Sequence, residues 1–294
     1  MTDSGLGGLS VCAAVEARLR RQPINHDIEL LFINAALRDD YGYNSMPTRQ
    51  EKVETFDRFL GDVAERLRPD LLYIACNSLS VLLHDCNSPR HRDLPIVGIV
   101  DAGTQAMLAE LTRDPQTAVI IFATPTTIEA STYRTNSIAA GIAPSRIAQQ
   151  ACPGLANAIS DDITGKGAQR LLREFAASAV AKFDTPPSRV MAFLGCTHYG
   201  YRADLFEQAL KQHVAEVSVL DPNAHAADEI ITNLASRTED SGQGTGQLTA
   251  RFLTPYTIPP GPLTALPHFL ADTAPATRSA LQNFVVDKDL YPQG

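Results

Sequence analysis

The 294-residue sequence has no apolar run approaching the ~18 residues that a membrane-spanning helix needs. Its first ten residues, MTDSGLGGLS, lack the basic and apolar segments of a secretory leader. It is also short of positive charge. Lys and Arg number 25 against 33 Asp and Glu, a net charge of −8, which argues against a nucleic-acid or anionic-membrane partner. The cysteines Cys12, Cys76, Cys86, Cys152 and Cys196 are odd in number and widely scattered, and no two have CxxC spacing. Neither a disulfide framework nor a zinc site is therefore expected. Together these absences predict a cytoplasmic protein whose thiols stay reduced and which holds no metal.

What remains is the composition of a globular protein, with 44% hydrophobic and 20% charged residues and enough chain to bury a substantial core. Short apolar runs at 28–33, 71–75, 96–100, 118–123, 190–194 and 217–220 read as buried parallel strands. Between them, 48–66 carries Val53, Phe56, Phe59, Leu60 and Val63 at helical spacing, and 166–183 and 201–213 behave similarly. Strands alternating with helices predict an α/β protein with doubly wound parallel sheets. The loop at 238–246 is polar and Gly-rich. The proline-rich stretch beyond it reads as an irregular appendage on the surface, without recognisable chemistry.

In doubly wound sheets, sites form where strands end and helices begin. The run 71–75 leads directly into Cys76-Asn77-Ser78, and 190–194 leads through Gly195 into Cys196-Thr197-His198. Two strands thus deliver a thiol at the functional edge, each followed by hydroxyl or amide donors. Cys12, Cys86 and Cys152 have no such setting and read as small buried hydrophobes. Two opposed thiols suit one chemistry in particular. Inverting an α-carbon needs a base on one face and an acid on the other, and a thiol with a pKa near ~8.5 can serve as either. Asn77, Ser78 and Thr197 offer donors for a substrate's carboxylate and amino groups, and no pyridoxal motif is present.

Asp3-Ser4-Gly5-Leu6-Gly7-Gly8-Leu9-Ser10, Ala75-Cys76-Asn77-Ser78 and Gly195-Cys196-Thr197-His198-Tyr199 resemble, in order, the signature motifs of the glutamate racemases. Those enzymes belong to the wider aspartate/glutamate racemase superfamily, and the resemblance covers roughly residues 3–215. It implies two α/β domains facing across a cleft, 1–98 with 207–294 and 99–206, each supplying a catalytic cysteine. It implies that Cys76 and Cys196 are the catalytic thiols, with Asp3 and His198 as their ionisable helpers. Ser4, Tyr41, Gly42, Asn77, Ser78, Thr127 and Thr197 would hold the substrate; Ala123-Thr124-Pro125-Thr126-Thr127 resembles the family's strand-to-loop Thr motif, and Tyr133 fits its downstream tyrosine. Structural alternatives stand beside these roles. Asp3 or Thr127 would serve equally as helix caps, and His198 as a structural imidazole. The implied activity is cofactor-independent amino-acid racemisation, with glutamate the leading substrate, D-glutamate for peptidoglycan the product, and a homodimer compatible with it.

Three departures from the pattern bear on this. Only Met1 and Thr2 precede Asp3, where the family has an apolar strand, so a central strand is expected to be missing and the natural start to lie upstream. Asp40 stands where the family's Pro-Tyr-Gly loop has proline, bringing a carboxylate toward a substrate carboxylate. The acidic residue expected after the Cys-Pro segment aligns with Ser160, leaving Asp161 or Asp162 as substitutes. These keep open a racemase of aspartate, another amino acid or a hydantoin, and a non-catalytic amino-acid-binding protein on the same fold.

Overall fold

The computed structural model describes residues 1–21, 25–39, 41–235, 246–270, 272 and 274–291. Two all-parallel sheets organise it. The first has six strands, β1 (Thr2–Asp3), β2 (Ile28–Asn34), β3 (Leu72–Ile74), β4 (Ile96–Gly98), β9 (Leu248–Thr254) and β10 (Val285–Val286), in the spatial order β10-β9-β2-β1-β3-β4. The second has four, β5 (Ala118–Ala123), β6 (Ile147–Ala151), β7 (Arg189–Gly195) and β8 (Glu216–Leu220), in the order β6-β5-β7-β8. The expected doubly wound α/β class is what the chain adopts.

Both faces of each sheet are covered, as parallel strands require. On one face of the first sheet, Phe32 and Phe252 pack with residues of α1 (Leu9–Leu19), α10 (Pro222–Ala235), α11 (Pro260–Phe269) and α12 (Pro275–Gln282). On the other, Ile33, Ile74 and Leu253 meet Phe56, Phe59 and Leu60 of α2 (Arg49–Asp62), whose Thr48 cap accepts from the Glu51 N–H. In the second sheet, Ile120 and Phe122 face α8 (Lys166–Val180) and α9 (Ala203–Leu210). Val119 and Ile121 face α4 (Ile99–Arg113) and α6 (Thr132–Ala139). The alternation of faces between neighbouring residues is the period of two that strands impose.

Four expectations change. The central position of the first sheet is filled: Thr2 lies opposite both Ile33 and Ile74, and Asp3 opposite Asn34. A two-residue strand holds there because both neighbours bond it; the Ile33 N–H donates to the Met1 carbonyl, Ala35 to Asp3, and Ala75 to Thr2. The proline-rich C-terminal stretch is no appendage. β9 pairs with β2 over six residues, and Leu266, Ala274 and Leu281 are wholly buried. Its prolines fall where helices tolerate them, at the first turns of α11 and α12, with only Pro267 inside a helix. β8 lies within 207–294 yet extends the second sheet beside β7, so the chain rejoins the first sheet after Leu220 rather than at 207. β6 was not foreseen, because IAQQA carries two glutamines in a five-residue strand. Residues 238–245 of the polar loop lie outside the described residues.

Candidate active site

Strand order reverses at β1, which lies between β2 and β3, and at β5, which lies between β6 and β7. Such switch points open crevices at the carboxyl ends of strands. Ser4 follows β1 directly and Cys76 follows β3 after Ala75, while Thr124 and Cys196 directly follow β5 and β7. All four line one cleft of about 580 Å³ between the two sheets.

The thiol of Cys76 is 5% exposed and lies 3.1 Å from Ser4 Oγ. Burial, and then the Asp3 carboxylate, push its pKa up to about 12. The thiol of Cys196 is 7% exposed and lies 3.7 Å from His198 Nδ1. Burial and Asp3 push it well above the ordinary thiol range. Burial holds the His198 imidazole below its ordinary pKa, with Asp3 opposing, so it is neutral near pH 7 and can accept a proton. In the free site both sulfurs are therefore protonated.

Asp3 joins the two halves. Its Oδ2 accepts from Thr197 Oγ1 at 2.7 Å, and it does not cap α1, whose N-cap is Gly8 with no side-chain bond. The Gly-rich loop is dictated by contact. A Cβ on Gly7 would lie 2.3 Å from Thr197 Oγ1 and 2.6 Å from the His198 nitrogen, so only glycine lets the loop approach the Cys-Thr-His turn. Asn223 Nδ2 ties the same region by donating to Ser10 Oγ and to the Thr197 carbonyl.

On the Cys76 side, Asn77, the first residue of α3 (Asn77–Ser80), is 1% exposed and its Oδ1 accepts from the Tyr133 hydroxyl at 2.5 Å. That bond leaves Asn77 Nδ2 buried without a partner at the wall of the cleft. A buried donor in that state costs free energy until something accepts from it, which marks a ligand position. Ser78 Oγ lies 2.7 Å from Thr124 Oγ1, while Thr127 sits behind both, 3.2 Å from Thr124 and 3.4 Å from Ser78. Thr124, not Thr127, caps α5 (Pro125–Ala130).

The structure gathers Asp3, Ser4, Gly42, Asn77, Ser78, Thr197, His198 and both thiols around the cleft. Two expected residues are elsewhere. Tyr41 turns its hydroxyl to Glu51 Oε1 at 2.7 Å, and Thr127 braces Ser78 and Thr124 from outside the wall. Asp40 lies outside the described residues. Ser160 does line the cleft, at the end of α7 (Leu155–Ser160), but its hydroxyl donates back to the Ala156 carbonyl. Asp161 brings the carboxyl beside it, its pKa raised by partial burial and then by Asp39. Asp162 is occupied with Thr164. Cys152, expected only to fill space, lines the cleft as well, with its Sγ turned to the Gln150 carbonyl.

Sequence reasoning missed the wall formed by Tyr256, Pro259, Gly261 and Pro262. It is anchored by Asn34 Nδ2, which donates to the Tyr256 hydroxyl and to Thr254 Oγ1. The alternation in LTARFLT was the available signal. Asn44 and Ser45, in the single 3₁₀ turn Tyr43–Ser45, and Asn157, within α7, were also missed, being polar residues with no motif to mark them. Among the described residues no group of three or more His, Cys, Asp or Glu side chains is placed to hold a metal, and no helix is long and apolar enough to cross a membrane.

A family model for Asp/Glu/hydantoin racemases matches residues 6–230, well over half of the sequence and including both cysteine motifs. The chain belongs to the Asp/Glu/hydantoin racemase family. Among relatives in this family, a glutamate racemase of Syntrophus aciditrophicus is 29% identical over 237 residues, covering 78% of each chain. One from Lysinibacillus sphaericus is 26% identical over 231 residues, covering 78% of this chain and 79% of the relative. The fold resembles that of glutamate racemase from Francisella tularensis crystallised with D-glutamate, at a TM-score of 0.67 and 20% identity over 92% of this chain and 91% of that one. Both cysteines of the cleft fall within the matched span, Cys76 beside the Ser4 hydroxyl and Cys196 beside the His198 imidazole.

Proposed function

We propose that this protein is a cofactor-independent glutamate racemase, working in the cytoplasm to make D-glutamate for peptidoglycan. The observation that carries this reading is the pair of buried thiols, Cys76 and Cys196, at the switch points of two sheets that share one cleft.

The substrate's α-carbon lies between the sulfurs. The thiolate on one side takes the α-hydrogen as a proton and becomes a thiol. The thiol on the other side delivers its proton to the opposite face and becomes a thiolate, so the centre inverts and the proton count is conserved. Asn77 Nδ2 and Ser78 donate to the α-carboxylate, where charge grows as the carbanion forms. Burial, reinforced by the Asp3 carboxylate, keeps both sulfurs protonated in the empty site. A bound ammonium beside Asp3 offsets that charge, so the base forms when substrate arrives. His198 Nδ1 relays the proton of Cys196, and Ser4 Oγ donates to the Cys76 thiolate. Displacement of water from the cleft by the bound substrate strengthens each of these contacts.

A second reading, a substrate with a neutral or basic side chain, is favoured by Asp39 and Asp161 on the cleft wall. Chiral chromatography of a panel of L-amino acids with the purified chain and no added cofactor tests both. Glutamate should racemise fastest. Faster turnover of a neutral or basic amino acid would transfer the proposal to the second reading, and no turnover of any would favour a binding protein.

A further inference from the structure

We propose that Lys52, acting through Thr126, turns the Asn44 amide so that its nitrogen faces the cleft as a donor for the substrate's side-chain carboxylate. Lys52 is then the positioning residue that selects an acidic side chain. This rests on the racemase reading above and adds to it the origin of substrate preference.

Lys52 lies on the buried side of α2, 7% exposed, one helical turn before Phe56. Among the described residues its Nζ has one hydrogen-bond partner, Thr126 Oγ1 at 2.8 Å, and no carboxylate within 4.0 Å. A buried ammonium without a counter-charge is costly, and a buried helix position is better filled by methionine or leucine unless the charge is used. An anion in the neighbouring cleft supplies the use.

The direction of the relay follows from the donor inventory. An ammonium only donates, so the Thr126 hydroxyl accepts from it and passes its single proton onward. The recipient is Asn44 Oδ1, at 2.8 Å. With its oxygen held by Thr126, Asn44 is left with its NH₂ group for the cleft, which it lines beside Gly42 and Ser45. The same device operates at the thiol end, where the Tyr133 hydroxyl holds Asn77 Oδ1 and leaves Asn77 Nδ2 unpartnered. The cleft thus carries two oriented amide donors, one beside Cys76 and one on the Gly42 loop, matching the two carboxylates of a dicarboxylic amino acid. Asn44, Asp39 and Asp161 all lie on the exposed rim, where water screens the two carboxylates, whereas the Lys52 side chain behind Asn44 is buried and its charge weakly screened.

The test compares the wild-type chain with Lys52→Met, which keeps the aliphatic stem, and Thr126→Val, which keeps the charge but cuts the relay. Each is assayed with L-glutamate and L-glutamine, alongside melting temperatures with and without L-glutamate. We expect the KM for glutamate to rise about tenfold in both variants with kcat within threefold. The kcat/KM for glutamine should stay within twofold, and the rise in melting temperature caused by glutamate should shrink. If Lys52→Met does not fold, Thr126→Val decides by the same measures. A wild type that turns over glutamate, with both folded variants matching its KM, overturns the Lys52 proposal and leaves the racemase reading intact. A wild type inactive on glutamate and not stabilised by it overturns the substrate reading and this proposal with it.

Discussion

The four-stranded sheet comes from one continuous stretch, residues 118–220, whereas the six-stranded sheet gathers strands from both ends of the chain. The first arrangement is secured by length: β5 is six residues long, buried throughout, and paired along its whole extent with β7. The second is secured by closure. Its central strand is two residues long, and it is held by β2, β3 and the C-terminal β9 beyond. Each sheet delivers one cysteine, and the cysteines inherit the difference. Cys196 ends a long strand and is served by a histidine from its own turn. Cys76 ends a three-residue strand and is served by Ser4, which arrives from a different strand of the same sheet. The cleft is symmetric in its thiols and asymmetric in the groups that stand beside them.

The sharpest way to break this comparison is to remove one sulfur at a time. Cys76→Ser and Cys196→Ser should each lower kcat by at least about a thousandfold, because a hydroxyl is a poor acid beside a thiol and no comparable base at neutral pH. In D₂O the wild type should place deuterium in the product enantiomer while recovered substrate stays unlabelled early in the reaction. Early label in both enantiomers would mean a single base and end the two-thiol account.

A smaller effect tests the junction between the sheets. Gly7→Ala would drive a Cβ into Thr197 and the His198 backbone, costing about 2–3 kcal/mol of stability and most of the activity. A denaturant midpoint equal to wild type would show that the Gly loop does not hold the halves together.

The asymmetry of activation is read by alkylation with iodoacetamide, mapped by mass spectrometry. Burial raises both thiol pKa values, so the thiolate fraction, and with it the rate, should climb from pH 7 to pH 10 without a plateau below pH 9. His198→Asn should slow Cys196 several-fold and leave Cys76 unchanged, and Ser4→Ala should do the reverse. Equal slowing of both thiols by either variant would erase the distinction. Smaller still, Tyr133→Phe keeps the ring packed on Phe193 but frees the Asn77 amide, and should raise KM about fivefold to tenfold with little change in kcat. At the low end, Cys152→Ser should change kcat/KM by less than about threefold despite lining the cleft, since its sulfur is turned to a backbone carbonyl.

Local chemistry settled much of this in advance. Apolar runs such as AVIIFA can only be buried strands at that length, and the Cys-Asn-Ser and Cys-Thr-His segments that follow two of them sit at strand ends for that reason. What the sequence could not determine is which strands neighbour which. The pairing of β9 with β2 joins residues more than 200 positions apart, so no local signal announces that the Tyr256–Pro262 segment walls the cleft. Likewise, Tyr41 and Thr127 occupy suitable positions along the chain, but packing turns one toward Glu51 and places the other behind Ser78. The thiols and their strand ends follow from residue type and periodicity. The shape of the cleft, the neutral state of its sulfurs and the aim of its amides follow from burial and distance, which exist only once the two sheets have folded.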